Sequence, residues 1–205
     1  MKPIGVLALQ GDFAAHRAAL REAGADSLEV RHPGELRGVS GLILPGGEST
    51  TLVKLIREMG FVDPLKAFVA EGRPVLGTCA GAILLGRSVA GSAQFCLGFM
   101  DIDVERNAYG RQRESFESAR GEARLAGGGP GDPPARMEMI FIRAPRIVRT
   151  GPGVSILATH GGDPVLVREG RLLAATFHPE MSADRVLHEH FAAMAAAPPA
   201  GGRPI

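Results

Sequence analysis

The sequence predicts an α/β fold, a three-layer sandwich on a mostly parallel open sheet with an antiparallel extension. Three observations carry this. The first half alternates apolar runs with amphipathic ones, the apolar runs are continuous as in strands buried on both faces, and the second half turns β-rich. Residues 4–10 (IGVLALQ) read as a first buried strand. Residues 13–24 (FAAHRAALREAG) form an amphipathic helix stopped by glycine, and residues 27–31 (SLEVR) a short strand. Residues 41–47 (GLILPGG) give the next buried strand. A helix over 49–60 follows with Ser49 or Thr50 as N-cap, then one over 63–72 opened by Asp63 and Pro64. The strand at 73–78 (RPVLGT) runs into a cysteine turn and a helix over 80–85.

Beyond that, residues 94–107, 136–144, 154–160 and 163–177 are β-rich, the last with a hairpin signal at Glu169 and Gly170. Residues 182–197 close the chain as a helix capped by Ser182, with Val186, Leu187, His190, Phe191 and Met194 on one face. The Gly/Pro-rich stretch 126–135 is a surface loop, and residues 198–205 read as a flexible C-terminal tail.

Composition bounds the function. The 205 residues suit one globular domain, and 45% hydrophobic with 22% charged residues is the balance of a folded protein. A net charge of +1 with scattered arginines gives no footprint for nucleic acid or an acidic membrane. No run approaches the roughly 18 apolar residues of a membrane helix. The opening MKPIGVLALQGD is too short in its apolar run for a secretory core, so two cysteines and no such signal point to a reducing cytoplasm.

In this topology ligands bind at the carboxyl ends of the parallel strands. Gln10-Gly11, Pro45-Gly46-Gly47 and Gly77-Thr78-Cys79 should therefore open onto one edge. The segment Gly77-Thr78-Cys79-Ala80-Gly81 has the G-x-nucleophile-x-G pattern of a nucleophile elbow, with sulfur for the serine oxygen. A cysteine buried as a small hydrophobe needs no bracketing glycines. At a strand-to-helix corner they let the nucleophile stand exposed in strained backbone, while the helix N-terminus favours thiolate and the Ala80 N–H faces a developing oxyanion.

Such a cysteine needs a base. Of six histidines, His16, His32, His188 and His190 read as surface or packing residues, none with metal-ligand spacing, and His160 is ambiguous beside a Gly-Gly turn. His178 ends the strand LLAATFH and is followed by Pro179 and Glu180. In an extended segment residues two apart share a face, so the carboxylate can fix the imidazole while the other ring nitrogen faces the thiol.

The motifs PGGEST (45–50), GTCAGA (77–82) and FHPE (177–180) resemble the class I glutamine amidotransferase, or triad glutaminase, family. RNAYGRQRESFE (106–117), FIRAP (141–145) and LQGD (9–12) resemble one branch of it, the glutaminase subunits of pyridoxal 5′-phosphate synthase. The resemblance covers nearly the whole chain and implies a single glutamine amidotransferase domain over 1–197. It implies that Cys79 attacks the amide of L-glutamine, that His178 is the base and later the acid, and that Glu180 orients His178. Gly47 and Ala80 would donate to the oxyanion. Gly46, Gly47, Glu48, Arg106, Ile142 and Arg143 would bind glutamine, the arginine forks suiting a carboxylate.

The resemblance further implies a barrel-type synthase subunit as partner, in a large hetero-oligomer with one glutaminase per synthase. No cofactor, metal, nucleic acid or membrane is expected here, since the chain carries no phosphate loop, cofactor lysine motif or metal-ligand set. The glutaminase serving imidazole glycerol phosphate synthase and γ-glutamyl hydrolase share the triad motifs but not RNxxGRQ and FIRAP. A cysteine-bearing sensor on a similar sandwich would need neither His178-Pro179-Glu180 nor Gly46-Gly47. The stretch 118–136 is longer and richer in Gly and Pro than the family pattern.

Overall fold

The computed structural model describes residues 2–106, 116–125 and 134–198. Most of RNAYGRQRESFE, most of the Gly/Pro-rich stretch and the tail after Pro198 lie outside these residues. Strand β1 (Ile4–Leu7), helix α1 (Phe13–Glu22), β2 (Ser27–Val30), β3 (Leu42–Leu44), α2 (Ser49–Glu58), α3 (Val62–Ala70), β4 (Val75–Thr78) and α4 (Ala80–Leu85) follow the expected alternation. Then come β5 (Ser88–Val89), β6 (Ile102–Glu105), β7 (Phe116–Ala123), β8 (Ala135–Ile142), β9 (Arg146–Thr150), β10 (Ser155–His160), β11 (Asp163–Glu169), β12 (Leu172–Ala175) and α5 (Val186–Ala196).

The main sheet has seven strands in the order β10-β11-β12-β4-β3-β1-β2. Strands β12, β4, β3, β1 and β2 pair in parallel, whereas β11 is antiparallel to β12 and β10 to β11. The expected antiparallel extension is thus β10 and β11, and Gly170 turns the β11–β12 hairpin with φ of 58°. Strand alternation sorts the core into two layers. Leu7, Leu42, Leu44, Val75 and Ala174 pack with α2, α3 and α4, while Val6, Ile43, Leu76, Leu173 and Ala175 pack with Leu20, Leu187, Phe191 and the β7–β8 ribbon. No helix of the described residues is long and apolar enough to cross a membrane.

Several local expectations are corrected. Glu48, not Ser49 or Thr50, is the N-cap of α2: its carboxylate accepts from the N–H groups of Thr50 and Thr51. Ser182 does not cap α5. Its hydroxyl donates to the carbonyls of Pro179 and Asp184, and the Asp184 carboxylate accepts from Val186 N–H, so the helix starts at Val186. The face of α5 turned inward is Leu187, His188, Phe191 and Ala195. Residues 94–101 form no strand; only β6 carries that stretch into sheet pairing, with β5 and β9.

Candidate active site

The three strand ends meet as expected, and Cys79 stands where β4 turns into α4. Its backbone has φ of 47° and ψ of −103°, a left-handed value that a side-chain-bearing residue adopts only under constraint. The constraint is visible on both sides. Cys79 N–H donates to Ala175 O at 2.9 Å in the neighbouring strand, and α4 lies so close to β3 that a Cβ on Gly81 would stand 2.0 Å from Leu44 O. The bracketing glycine is required by backbone approach, not by packing of the thiol.

His178 lies beyond β12 and is pinned by its N–H to Ile140 O at 2.8 Å, tying the imidazole to β8. The extended relation expected of His178 and Glu180 is absent. Pro179–Met181 form a 3-10 turn, which proline at its first position favours. The turn nevertheless brings Glu180 Oε1 to 2.7 Å from His178 Nδ1. Glu180 is buried behind the imidazole, and its other oxygen stands 3.3 Å from Nε2 of His16. Burial disfavours a charged imidazole at His178, but its hydrogen bonds to Cys79 and Glu180 prevail and push its pKa up to about 10. Burial likewise works against charge at Glu180, yet the adjoining His16 and His178 rings hold its carboxyl below the usual range.

Above Cys79 and His178 opens a cleft of about 260 Å³ whose lining includes Gly47, Glu48, Arg106, Ile142 and Arg143. Those residues come from the β3–α2 junction, the end of β6 and the end of β8. Gly46 lies directly against the pair: a Cβ there would stand 2.6 Å from His178 Cε1 and 3.3 Å from Cys79 Cβ. Gly47 has φ of 140°, open to glycine and strained for other residues. Ala80 is buried at the head of α4, and Arg143 also adopts a positive φ, of 45°. Of the residues singled out in the sequence, Gly47, Glu48, Cys79, Arg106, Ile142, Arg143 and His178 line the cleft, Gly46 and Glu180 lie against His178, and Ala80 follows Cys79 at the head of α4.

The cleft wall is a hydrogen-bonded unit. Arg106 donates to Gln94 Oε1 at 2.6 Å and to Glu48 Oε1 at 3.3 Å, and Ser49 donates to the same Gln94 oxygen. The Thr50 hydroxyl and two backbone N–H groups hold the Glu48 pKa down to about 2, so it stays ionised beside Arg106. Glu48 N–H donates to Gln10 Oε1 at 3.2 Å, which places Gln10 against the Gly47 segment. Among the described residues, the one grouping of metal-ligating types is Asp12, His178 and Glu180, but the imidazole and carboxylate already bond each other there.

Sequence reasoning missed Asp12, Ser49, Ile83, Pro145 and Met181 in the lining, and Gln94 behind it. Asp12 and Pro145 sat inside quoted motifs; Gln94 carried no signal. It also missed His16 and His188, both fully buried and in contact with each other. A roomier concavity of about 500 Å³ on the β7–β8 ribbon, beside Ala183 and Asp184, holds no nucleophile.

Known proteins resemble this chain over most of its length. A protein of Koribacter versatilis named pyridoxal 5′-phosphate synthase subunit PdxT is 53% identical over 191 residues, covering 93% of this chain and 94% of its own. The Thermotoga maritima protein of the same name is 50% identical, covering 93% and 98%. A crystal structure of a glutamine amidotransferase superposes with a TM-score of 0.85 at 45% identity, covering 95% of this chain and 99% of that one. PurLQS from Thermotoga maritima, 14% identical with a TM-score of 0.68, shares the fold. The sequence profile of the SNO glutamine amidotransferase family matches residues 6–196, and the chain belongs to that family.

Proposed function

We propose that this chain is the glutaminase subunit of a pyridoxal 5′-phosphate synthase, hydrolysing L-glutamine to L-glutamate and ammonia through Cys79, His178 and Glu180. The observation that carries the reading is the strained Cys79 corner facing an imidazole whose Nδ1 is 2.7 Å from a buried carboxylate, at the floor of a cleft with arginines in its wall. His178 holds the proton that it has taken from the thiol, and the Cys79 sulfur attacks the side-chain amide carbon of glutamine. The oxygen of the tetrahedral adduct takes the negative charge and is met by the N–H groups of Gly47 and Ala80.

His178 then gives its proton to the amide nitrogen, the C–N bond breaks, and ammonia leaves a γ-glutamyl thioester on Cys79. Water, deprotonated by His178, attacks the thioester; the C–S bond breaks and glutamate departs, so one glutamine and one water yield one glutamate and one ammonia. Glu180 holds the ring orientation and balances the imidazolium in both halves. Gly46, Gly47, Glu48, Arg106, Ile142 and Arg143 hold the substrate, the guanidinium groups suiting its α-carboxylate.

Residues 1–197 act as one glutamine amidotransferase domain in the cytoplasm. Ammonia released into water at neutral pH is mostly protonated and lost as a nucleophile, so hydrolysis is useful only when coupled to its consumer. The consumer is a barrel-type synthase subunit in a large hetero-oligomer with one glutaminase per synthase, and this chain alone has little activity. The test is ammonia release from glutamine with and without that subunit. Activity that arises on mixing and vanishes in Cys79→Ala supports the reading; equal activity without the subunit overturns the gating, and activity surviving in Cys79→Ala overturns the nucleophile.

A further inference from the structure

Behind the proposed triad lies a buried polar chain that the hydrolysis above does not use. His16 from α1, Thr78 from β4, His188 from α5 and Glu180 from the turn after His178 converge there, all buried. His16 Nε2 lies 3.0 Å from Thr78 Oγ1 and 3.3 Å from Glu180 Oε2, and His16 Nδ1 lies 3.1 Å from His188 Nε2. No hydrogen-bond partner reaches His188 Nδ1, which is itself buried.

That vacancy of partners fixes the protons. A buried N–H without an acceptor is costlier than a bare ring nitrogen, so His188 carries its hydrogen on Nε2 and donates to His16 Nδ1. His16 then carries its hydrogen on Nε2 and donates it to Thr78 Oγ1, with Glu180 Oε2, which has no hydrogen-bond partner, 3.3 Å from the same nitrogen. The opposite assignment would leave an unpaired buried donor on His188 and turn a lone pair of His16 toward the carboxylate. Burial, the dominant influence, pushes both imidazoles toward their neutral forms, His188 down to about 3. The other charged or titratable groups facing the chain are Asp12 at the start of α1, His178 and Arg185.

Resting on the glutaminase reading, we infer that His16, oriented by His188, is a positioning residue of the reaction: its Nε2–H, bonded to Thr78 Oγ1, also faces Glu180 Oε2 at 3.3 Å and attracts that oxygen electrostatically, so that Oε1 stays against His178 Nδ1. Oε1 is hydrogen-bonded to His178, and Oε2, which makes no hydrogen bond, faces the N–H edge of His16. Without His16 the second oxygen is left undersolvated in a buried site, the carboxyl protonates more readily, and it no longer balances an imidazolium.

The test is histidine NMR on the full chain, following the titration of His178, together with glutaminase kinetics in the complex with the synthase subunit. In the wild type His178 stays protonated at pH 8.5. In His16→Leu its midpoint is lowered by about one unit or more, so the ring loses its proton at lower pH than in the wild type, and kcat falls about tenfold or more with KM unchanged, since His16 does not line the cleft. His16→Gln, which keeps an N–H toward Glu180, retains both properties. A His16→Leu protein that lost thermal stability but kept the His178 titration and kcat would overturn the inference. Should His16→Leu fail to fold, His188→Leu decides: a smaller shift in the same direction supports the inference, an unchanged titration overturns it. A wild-type complex that released no ammonia from glutamine would instead overturn the glutaminase reading on which the inference rests.

Discussion

Gly46→Ala is the substitution that most directly measures how tightly the reacting pair is held. The φ of Gly46 lies outside the left-handed region, so alanine strains no backbone torsion there, and only space is tested. The added Cβ would stand 2.6 Å from His178 Cε1, 3.1 Å from His178 Nδ1 and 3.3 Å from Cys79 Cβ. The first distance is about 0.8 Å short of ordinary contact. An exposed side chain would swing away at little cost. This imidazole cannot, because its Nδ1 is bonded to Glu180 and the backbone N–H of His178 donates to Ile140 O. The displacement therefore falls on the relation of imidazole to sulfur, where an error near 1 Å costs about a hundredfold in rate, equivalent to about 2.7 kcal/mol of barrier. The assay is steady-state ammonia release by the complex with the synthase subunit, alongside thermal unfolding of the variant. We expect kcat down about a hundredfold with a melting temperature close to wild type. A kcat within about threefold of wild type would refute the packing argument and with it the tight placement of His178 against Gly46.

Other expectations concern the nucleophile, the cleft wall and the corner. Cys79→Ala abolishes synthesis of product from glutamine by the complex but leaves synthesis from added ammonia intact; loss of both would mean that the cysteine serves assembly instead. Glu48→Ala removes the α2 cap and costs about 1 kcal/mol in urea unfolding at pH 7. Because folding holds the Glu48 pKa at about 2 against an unfolded value of 4.5, that difference is fully present above pH 4.5 and fades as pH falls toward 2. A wild-type advantage that did not shrink on acidification would contradict the cap assignment. Gly81→Ala sets a Cβ 2.0 Å from Leu44 O, a backbone atom of a central strand, and costs about 3 kcal/mol or more; a loss below about 1 kcal/mol in denaturant titration would show that α4 slides away from β3 freely.

How far the sequence could be read follows the range of the interaction involved. Continuous apolar runs and glycine punctuation located β1 to β4 and the helices between them, because burial on two faces and local turn chemistry are written in adjacent residues. The Cys79 corner was legible for the same reason. The His178–Glu180 contact was expected for a faulty reason: an extended strand end was assumed, whereas Pro179 begins a 3-10 turn that brings the two groups together differently. Glu48 as a cap was hidden by the preference of helices for Ser or Thr there, though a carboxylate accepts from the same N–H groups. Residues 94–101 looked like strand from composition, yet they form no ladder. His16 and His188 were illegible because their meaning is their contact, 172 positions apart in the chain. Only the packing of α1 and α5 on the same face of the sheet makes them neighbours.

That placement explains how an ionisable site survives inside a folded domain. A carboxylate and an imidazole taken out of water are destabilising unless every polar atom finds a partner. Here most partners arrive from elements fixed by the hydrophobic layers, while Glu180 Oε2 and His188 Nδ1 have no hydrogen-bond partner. Cys79 is held by β4 and α4, His178 by its backbone bond to β8, and the far side of Glu180 faces His16 on α1, which contacts His188 on α5. Leu20, Leu187 and Phe191 bury α1 and α5 in one apolar layer, while Leu84 and Leu85 bury α4 in the other. The site is the seam where both layers reach the carboxyl end of the sheet. A change in either layer that rotates α1 against α5 would loosen Glu180 without touching the cleft. Kinetic damage with an intact KM is therefore the signature expected of mutations in that apolar layer, whereas changes at Glu48 or Arg106, which line the cleft, should raise KM.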